Sequence, residues 1–197
     1  MPLRELYGGA MACQVAERFE DVSQFRQVPD NQEVFTDVAT GTCIIVELMA
    51  RQASVPNEGC GEFFFHDLAQ SNGSSSNAIT IAQRPLTQSE VPLMAARAAT
   101  GVPCEYACMI AGSQSISKFT NEGGRENTVF VAMIILRLPS PVSTDILISA
   151  SAPQQIAEGS SEARVAVRIA SHDEVVAELM SAVSTMTVRD WGLFVPE

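Results

Sequence analysis

Val129-Phe-Val-Ala-Met-Ile-Ile-Leu-Arg-Leu138 is apolar at nearly every position. An α-helix at the surface or a strand with one wet face would show polar residues at a fixed period, and this run shows none. It suits a central strand covered on both faces. On either side, between Tyr106 and Ser149, lie further segments rich in Val, Ile and Phe, separated by Asn121-Glu-Gly-Gly124 and by Pro139-Ser-Pro141. Breaks that short predict antiparallel neighbours, because parallel strands need a long crossover.

A sheet buried on both faces requires helices on both. The stretch from Gly41, TGTCIIVELMARQ, places Ile44, Ile45, Leu48 and Met49 on one helical stripe after Thr42 as an N-cap, and predicts a first helix there. Residues 87–100 are a second candidate, with Thr87 or Ser89 as cap, Pro92 in the first turn and Gly101 as the stop. Ser171-His-Asp-Glu174 forms a capping box ahead of Val175, Val176, Leu179, Met180 and Val183, and predicts a late helix. Residues 71–77 (SNGSSSN) and 151–162 read as loops. No internal repeat is visible, and the order of elements predicts a layered sandwich around an antiparallel sheet.

The bulk properties narrow the function. At 197 residues, with 46% hydrophobic and 18% charged residues, one globular domain over 1–197 is expected. Acids outnumber bases, the formal charge is −11 and Lys118 is the only lysine, so no basic stripe is available for a nucleic-acid backbone. The imbalance favours a basic protein surface as partner and equally accounts for solubility. Cys13, Cys43, Cys60, Cys104 and Cys108 are scattered and odd in number, which reads as reduced thiols. The longest apolar run falls far below the ~20 residues that span a bilayer, so no membrane segment is expected.

Catalytic chemistry has little to draw on. The pairs His66-Asp67 and His172-Asp173 are adjacent in sequence, and adjacent helical residues do not face one another. Cys104 and Cys108 could align on one strand face, but no second pair stands at zinc-ligand spacing, and both read as small core residues. Neither G-x-x-x-x-G-K-[ST] nor G-x-G-x-x-G occurs, so no cofactor and no nucleotide site are expected. The informative stretch is Asp21–Phe35. There Asp21, Asp30 and Glu33 bracket the turn formers Pro29-Asp30-Asn31, which predicts carboxylates on an exposed, stiffened loop. Rigid acids of this kind can meet Arg or Lys of a partner; Asp21 and Asp30 could also simply cap or turn the chain.

Leu6-Tyr-Gly-Gly-Ala10, the stretch Asp21–Phe35 with its string RQVPDNQEVF, Ile44-Ile-Val-Glu-Leu48, Phe65-His-Asp-Leu68, Leu136-Arg-Leu138 and Thr144-Asp-Ile-Leu-Ile148 resemble, in order and spacing, the Ran guanine-nucleotide release factor family. The resemblance implies an αβα sandwich around a mainly antiparallel six-stranded sheet, similar to the photosystem subunit PsbP. It implies a protein of nucleus and cytoplasm that is not an enzyme, binds the small GTPase Ran, promotes release of its nucleotide and supports nuclear import, with other nuclear transport factors as further partners. By the same resemblance Asp21, Asp30, Glu33 and Glu47, the last in the first helix, match acids implicated in Ran binding. Family members carry a second acid three residues after Glu47, where this chain has Ala50, so the contact at that edge is expected to be weaker or replaced. The alternative is an acidic scaffold that binds another basic partner without affecting nucleotide.

Overall fold

The computed structural model describes residues 1–94, 102–116, 126–156 and 167–194. The apolar run lies in β8 (Asn127–Leu138), flanked by β7 (Tyr106–Ile116) and β9 (Thr144–Gln155). Both pairings are antiparallel, with Gly112 opposite Val131 and Ile134 opposite Ile148. The two faces of β8 feed two separate cores. Phe130, Ala132, Ile134 and Leu136 enter one, while Val129, Val131, Met133 and Ile135 enter the other. Continuous apolarity is the requirement of a strand with no wet side.

Helix α2 (His172–Thr185) covers the first face. Its start is the expected capping box: Ser171 Oγ accepts Glu174 N–H at 3.2 Å, and Glu174 Oε2 accepts Ser171 N–H at 2.8 Å. Val175, Leu179, Ala182 and Val183 turn inward at helical spacing. The second face is covered by α1 (Cys60–Ser71), which buries Cys60, Phe64, Phe65 and Ala69 against β7 and β8. That close approach depends on Gly112. A Cβ there would lie 2.5 Å from the Phe65 ring and 2.3 Å from the Ile79 carbonyl oxygen.

The sheet has seven strands in the order β3-β4-β5-β9-β8-β7-β6, where six were expected. Its outer members are β3 (Glu20–Asp21), β4 (Gln32–Asp37) and the edge strand β6 (Ile79–Pro85). A second sheet of β1 (Leu3–Leu6), β2 (Met11–Gln14) and β10 (Thr187–Val188) packs beside α2. The two-residue strands β3 and β10 are too short for a periodic signal.

The expected first helix is instead β5 (Thr42–Ala50). The apolar set Ile44, Ile45, Leu48 and Met49 fits helical spacing, but the same segment alternates just as well. Ile44 and Val46 are fully buried on the α2 face, and Ile45, Glu47 and Met49 project to the α1 side, where they line one cleft. The β-branched run Ile44-Ile45-Val46 favours the pleated form. Thr42 does not cap a helix; it pairs with Asp37. In the second helical candidate, Thr87 O accepts from Glu90 and Val91 N–H, and Pro92–Met94 form one 3-10 turn; residues 95–101 lie outside the described residues. So do the Asn121–Gly124 break and residues 157–162. The stretch read as a loop from 151 is still strand as far as Gln155. Of residues 71–77, Ser71 ends α1 and the rest form a turn that includes the 3-10 segment Ser75–Asn77.

Candidate functional site

The four acids stand at one end of β4 and β5, but not all on a loop. Only Asp30 is a loop residue. It occupies a turn closed by Gln32 N–H to the Pro29 carbonyl at 2.9 Å, it is exposed, and it has no polar partner among the described residues. The turn is fastened by Asn31, whose carbonyl accepts Leu48 N–H at 2.9 Å and whose Nδ2 donates to the Leu48 carbonyl at 3.2 Å.

Asp21 ends β3 and faces Phe35 in the register. Its Oδ1 accepts Ser23 N–H at 2.8 Å and so caps the 3-10 turn Val22–Gln24, the capping role weighed from sequence. Glu33 lies within β4, two residues before Phe35 and on the same face, so its carboxylate approaches that of Asp21. It is half-buried, and its Oε1 accepts the N–H of Tyr7 at 2.5 Å. Burial raises the pKa of Glu33 above the ordinary carboxylate range; the Tyr7 N–H opposes this, and the Asp21 charge adds to it.

Glu47, on β5, pairs with Gln32, while Glu33 pairs with Val46. Paired residues share a face and neighbours alternate, so Glu33 points to the α2 face and Glu47 to the α1 face. The four acids therefore straddle a sheet edge: Asp21 and Glu33 on one side, Glu47 on the other, Asp30 in the turn between. Glu47 Oε1 accepts Gln32 Nε2 at 2.9 Å and Asn31 Nδ2 at 3.3 Å, which fixes its direction. Ala50 alternates to the face opposite Glu47 and is exposed at the end of β5. An acid there would not have extended the Glu47 side, as it would on a helix.

Tyr7 is the residue that sequence reasoning passed over. It sits in a 3-10 turn between β1 and β2, with φ of 51° and Gly8 beside it at 66°. That left-handed backbone turns its N–H onto Glu33, and Gly8 meets the demand without strain. Its phenol O–H lies 2.9 Å from the Val46 carbonyl and 3.1 Å from that of Asn31. Burial, then Glu33 and Glu47, push its ionisation far above the usual phenol range, so it remains a neutral donor. The Tyr7-Gly8-Gly9 string was the available signal, since two glycines after an aromatic residue mark an unusual backbone.

The other candidates do not converge. His66 Nε2 lies 3.2 Å from Glu62 Oε2 rather than near Asp67, and His172 stacks on Phe130 at 3.9 Å between ring centres. Cys104 and Cys108 are both buried, but they do not share a face. Cys104 precedes β7 and belongs to the α2-side core, while Cys108 belongs to the α1-side core, its Sγ 3.5 Å from that of Cys60. Among the described residues no group of three or more His, Cys, Asp or Glu could hold a metal ion, and no helix is long and apolar enough to cross a membrane.

The chain is similar to known proteins over most of its length. The family model described as Ran-interacting Mog1 protein matches residues 4–153. The Ran guanine nucleotide release factor of Danio rerio is 35% identical over 154 residues, covering 76% of this chain and 77% of its own. The probable Ran guanine nucleotide release factor of Dictyostelium discoideum is 30% identical over 196 residues, covering 98% and 95%. The crystal structure of the Saccharomyces cerevisiae Ran-binding protein Mog1p shares the fold, with a TM-score of 0.69, 22% identity and 98% coverage of both chains. With the matched model spanning both the acidic edge and the central strands, the chain belongs to the Ran-interacting Mog1 protein family.

Proposed function

We propose that this chain is a single Ran-binding domain that docks the acidic edge formed by Asp21, Asp30, Glu33 and Glu47 against basic residues of Ran and promotes release of its guanine nucleotide, supporting nucleocytoplasmic transport in nucleus and cytoplasm. The observation that carries the reading is the exposed Asp30 carboxylate, without a polar partner among the described residues, on a fastened turn flanked by three acids that hydrogen bonds hold: Asp21 by Ser23, Glu33 by Tyr7 and Glu47 by Gln32. Carboxylates already fixed in place lose little conformational entropy when they meet guanidinium or ammonium groups. The protein acts by binding and leaves its partner covalently unchanged. For release, it binds nucleotide-free Ran more tightly than nucleotide-bound Ran. The finer fold assignment, a PsbP-like αβα sandwich, belongs to the same reading and is supported by helices on both faces of one sheet.

The test is nucleotide release from Ran loaded with a fluorescent GTP analogue. Adding the chain is expected to accelerate loss of signal, and Asp30→Ala with Glu33→Gln to slow it again. Tight binding with an unchanged rate and an unchanged extent of release would instead assign the acidic edge to a scaffold.

A further inference from the structure

Helix α1 packs over β7 and β8 and stops short of β5, which leaves a cleft of about 290 Å³ between the helix and the sheet. Met133 and Leu147, both buried, form its floor; Ile45 and Met49 of β5 form one bank, and Phe64 and Leu68 of α1 the other. Each bank carries one acid within its apolar row. Glu47 stands between Ile45 and Met49, and Asp67 lies one helical turn from Phe64, exposed and without a polar partner among the described residues. Among the described residues no lysine or arginine lines the cleft. Its volume falls just short of the ~300 Å³ at which small-molecule pockets begin, and it suits one inserted side chain.

We infer that this cleft receives a segment of Ran in which an apolar side chain stands beside Lys or Arg, the apolar group seated on Met133 and Leu147 and the cation held between Glu47 and Asp67. The inference rests on the reading of the chain as a Ran-binding protein. Two observations favour this occupant. The cleft is continuous with the acidic edge, since Glu47 and Gln32 line it and belong to that edge. Its charge is of one sign: Gln32 Nε2 and Asn31 Nδ2 both donate to Glu47 Oε1, and no donor within the protein meets Oε2 among the described residues. A buried apolar anchor next to a paired charge is the arrangement of an interface hot spot. Here it would give apolar affinity to a contact that the four edge acids alone make mainly electrostatic.

The experiment is titration of nucleotide-free Ran into the unaltered chain, Asp67→Lys and Ser149→Phe, with the melting curve of each variant recorded. Asp67 is exposed on α1, and Ser149 lines the cleft without belonging to either core. One variant therefore reverses the charge of a bank and the other fills the floor. Each is expected to bind Ran at least about tenfold more weakly, a loss of about 1.4 kcal/mol. Unchanged affinity in both, with Ran still bound by the unaltered chain, overturns the inference and leaves the Ran reading standing; no binding by the unaltered chain overturns both. Methyl NMR of the unaltered protein decides the matter even where a variant fails to fold. The Met49 and Met133 methyl signals are expected to move when Ran is added, and stationary signals overturn the assignment. Sedimentation that shows a dimer abolished by Asp67→Lys would give the cleft to a second copy of this chain, against the inference.

Discussion

The Oε1 of Glu33 accepts the main-chain N–H of Tyr7 at 2.5 Å, joining β4 of the seven-stranded sheet to the turn between β1 and β2. Glu33 thus has a structural duty that Asp30 lacks, and the two acids separate by mutation. Glu33→Ala leaves the Tyr7 N–H without its partner and is expected to destabilise the protein by about 1.5 kcal/mol, the lower end for a hydrogen bond to a charged group because Glu33 is only half-buried. Asp30→Ala, at an exposed carboxylate with no partner among the described residues, is expected to stay within about 0.5 kcal/mol. Denaturant titration of the two single variants reads the difference. Equal stabilities would mean that the Tyr7 bond contributes nothing.

The same carboxylate makes stability depend on pH in a definite direction. Burial, reinforced by Asp21, holds Glu33 above its ordinary value of 4.5. Between that value and the raised one the folded state binds more protons than the unfolded state, so this group's contribution grows as pH falls and is lost as pH rises through the folded value. Ran binding through Glu33 should weaken over the same window as the carboxylate takes up its proton. Glu33→Gln keeps an acceptor for Tyr7 and removes the titration. The difference between wild-type and Gln melting curves should vary with pH above 4.5, and a constant difference would mean that the folded state does not shift this group.

At the same strand ends as Glu47, where Asp145 pairs with Met49, Arg137 is fully buried opposite Asp145, with Nε to Oδ1 at 3.0 Å. Its remaining nitrogens donate to the carbonyls of Val55 and Gln52, each at 2.8 Å, and to Asn57 Oδ1 at 3.1 Å. This ties the segment before α1 to the strand ends. Arg137→Met strands two carbonyls and leaves the buried Asp145 charge with only the Gln52 N–H at 3.0 Å and Arg51 Nε at 3.7 Å, and is expected to cost about 3 kcal/mol, as when one partner of a buried pair is removed. Thermal unfolding measures it. A loss below about 1 kcal/mol would mean that water reaches these groups in the variant.

How far the sequence was legible follows from what each signal measured. β8 could be read because a doubly covered strand leaves no alternative for a ten-residue run that is apolar at every position but Arg137, and α2 because its capping box is a local chemical device. β5 was misread because Ile44, Ile45, Leu48 and Met49 satisfy two periods at once, and only pairing with β4 and β9 decides between them. α1 left no signal: Gly59 at its cap makes no side-chain bond, and Phe63-Phe64-Phe65 obscures its period. The turn at Pro29-Asp30-Asn31 was visible from its residues. That strand begins at Gln32 and turns Glu33 inward was not, since the partner that holds Glu33 is Tyr7, 26 residues away. Arg137 within an apolar run was the overlooked clue, because a buried guanidinium requires a partner such as Asp145.

A protein with charge −11 and four acids gathered at one edge should attract a basic partner at long range. The association rate with Ran is expected to fall as salt rises and the Debye length shrinks to ~8 Å at physiological ionic strength, with a smaller change in dissociation rate. Stopped-flow traces at several salt concentrations test this. A salt-independent association rate would assign the charge to solubility and the contact to apolar groups.

Release of nucleotide carries a thermodynamic obligation that can be tested without watching nucleotide at all. If the chain weakens the affinity of Ran for GTP by some factor, GTP must weaken the affinity of Ran for the chain by the same factor, because the four states close a cycle. Excess GTP is therefore expected to dissociate a preformed complex with nucleotide-free Ran. A coupling of roughly 3 kcal/mol corresponds to about a 150-fold loss of affinity, well within reach of a titration. Asp30→Ala, which keeps the fold and removes one edge acid, should weaken binding to nucleotide-free Ran; the size of the GTP coupling that survives then tells whether this acid senses nucleotide or only anchors. An unchanged coupling makes Asp30 an anchor, and a reduced one places it among the groups that distinguish empty from filled Ran. If saturating GTP leaves the affinity of the unaltered chain unchanged, the protein does not shift nucleotide occupancy at equilibrium, and any release it produces is purely an acceleration of exchange.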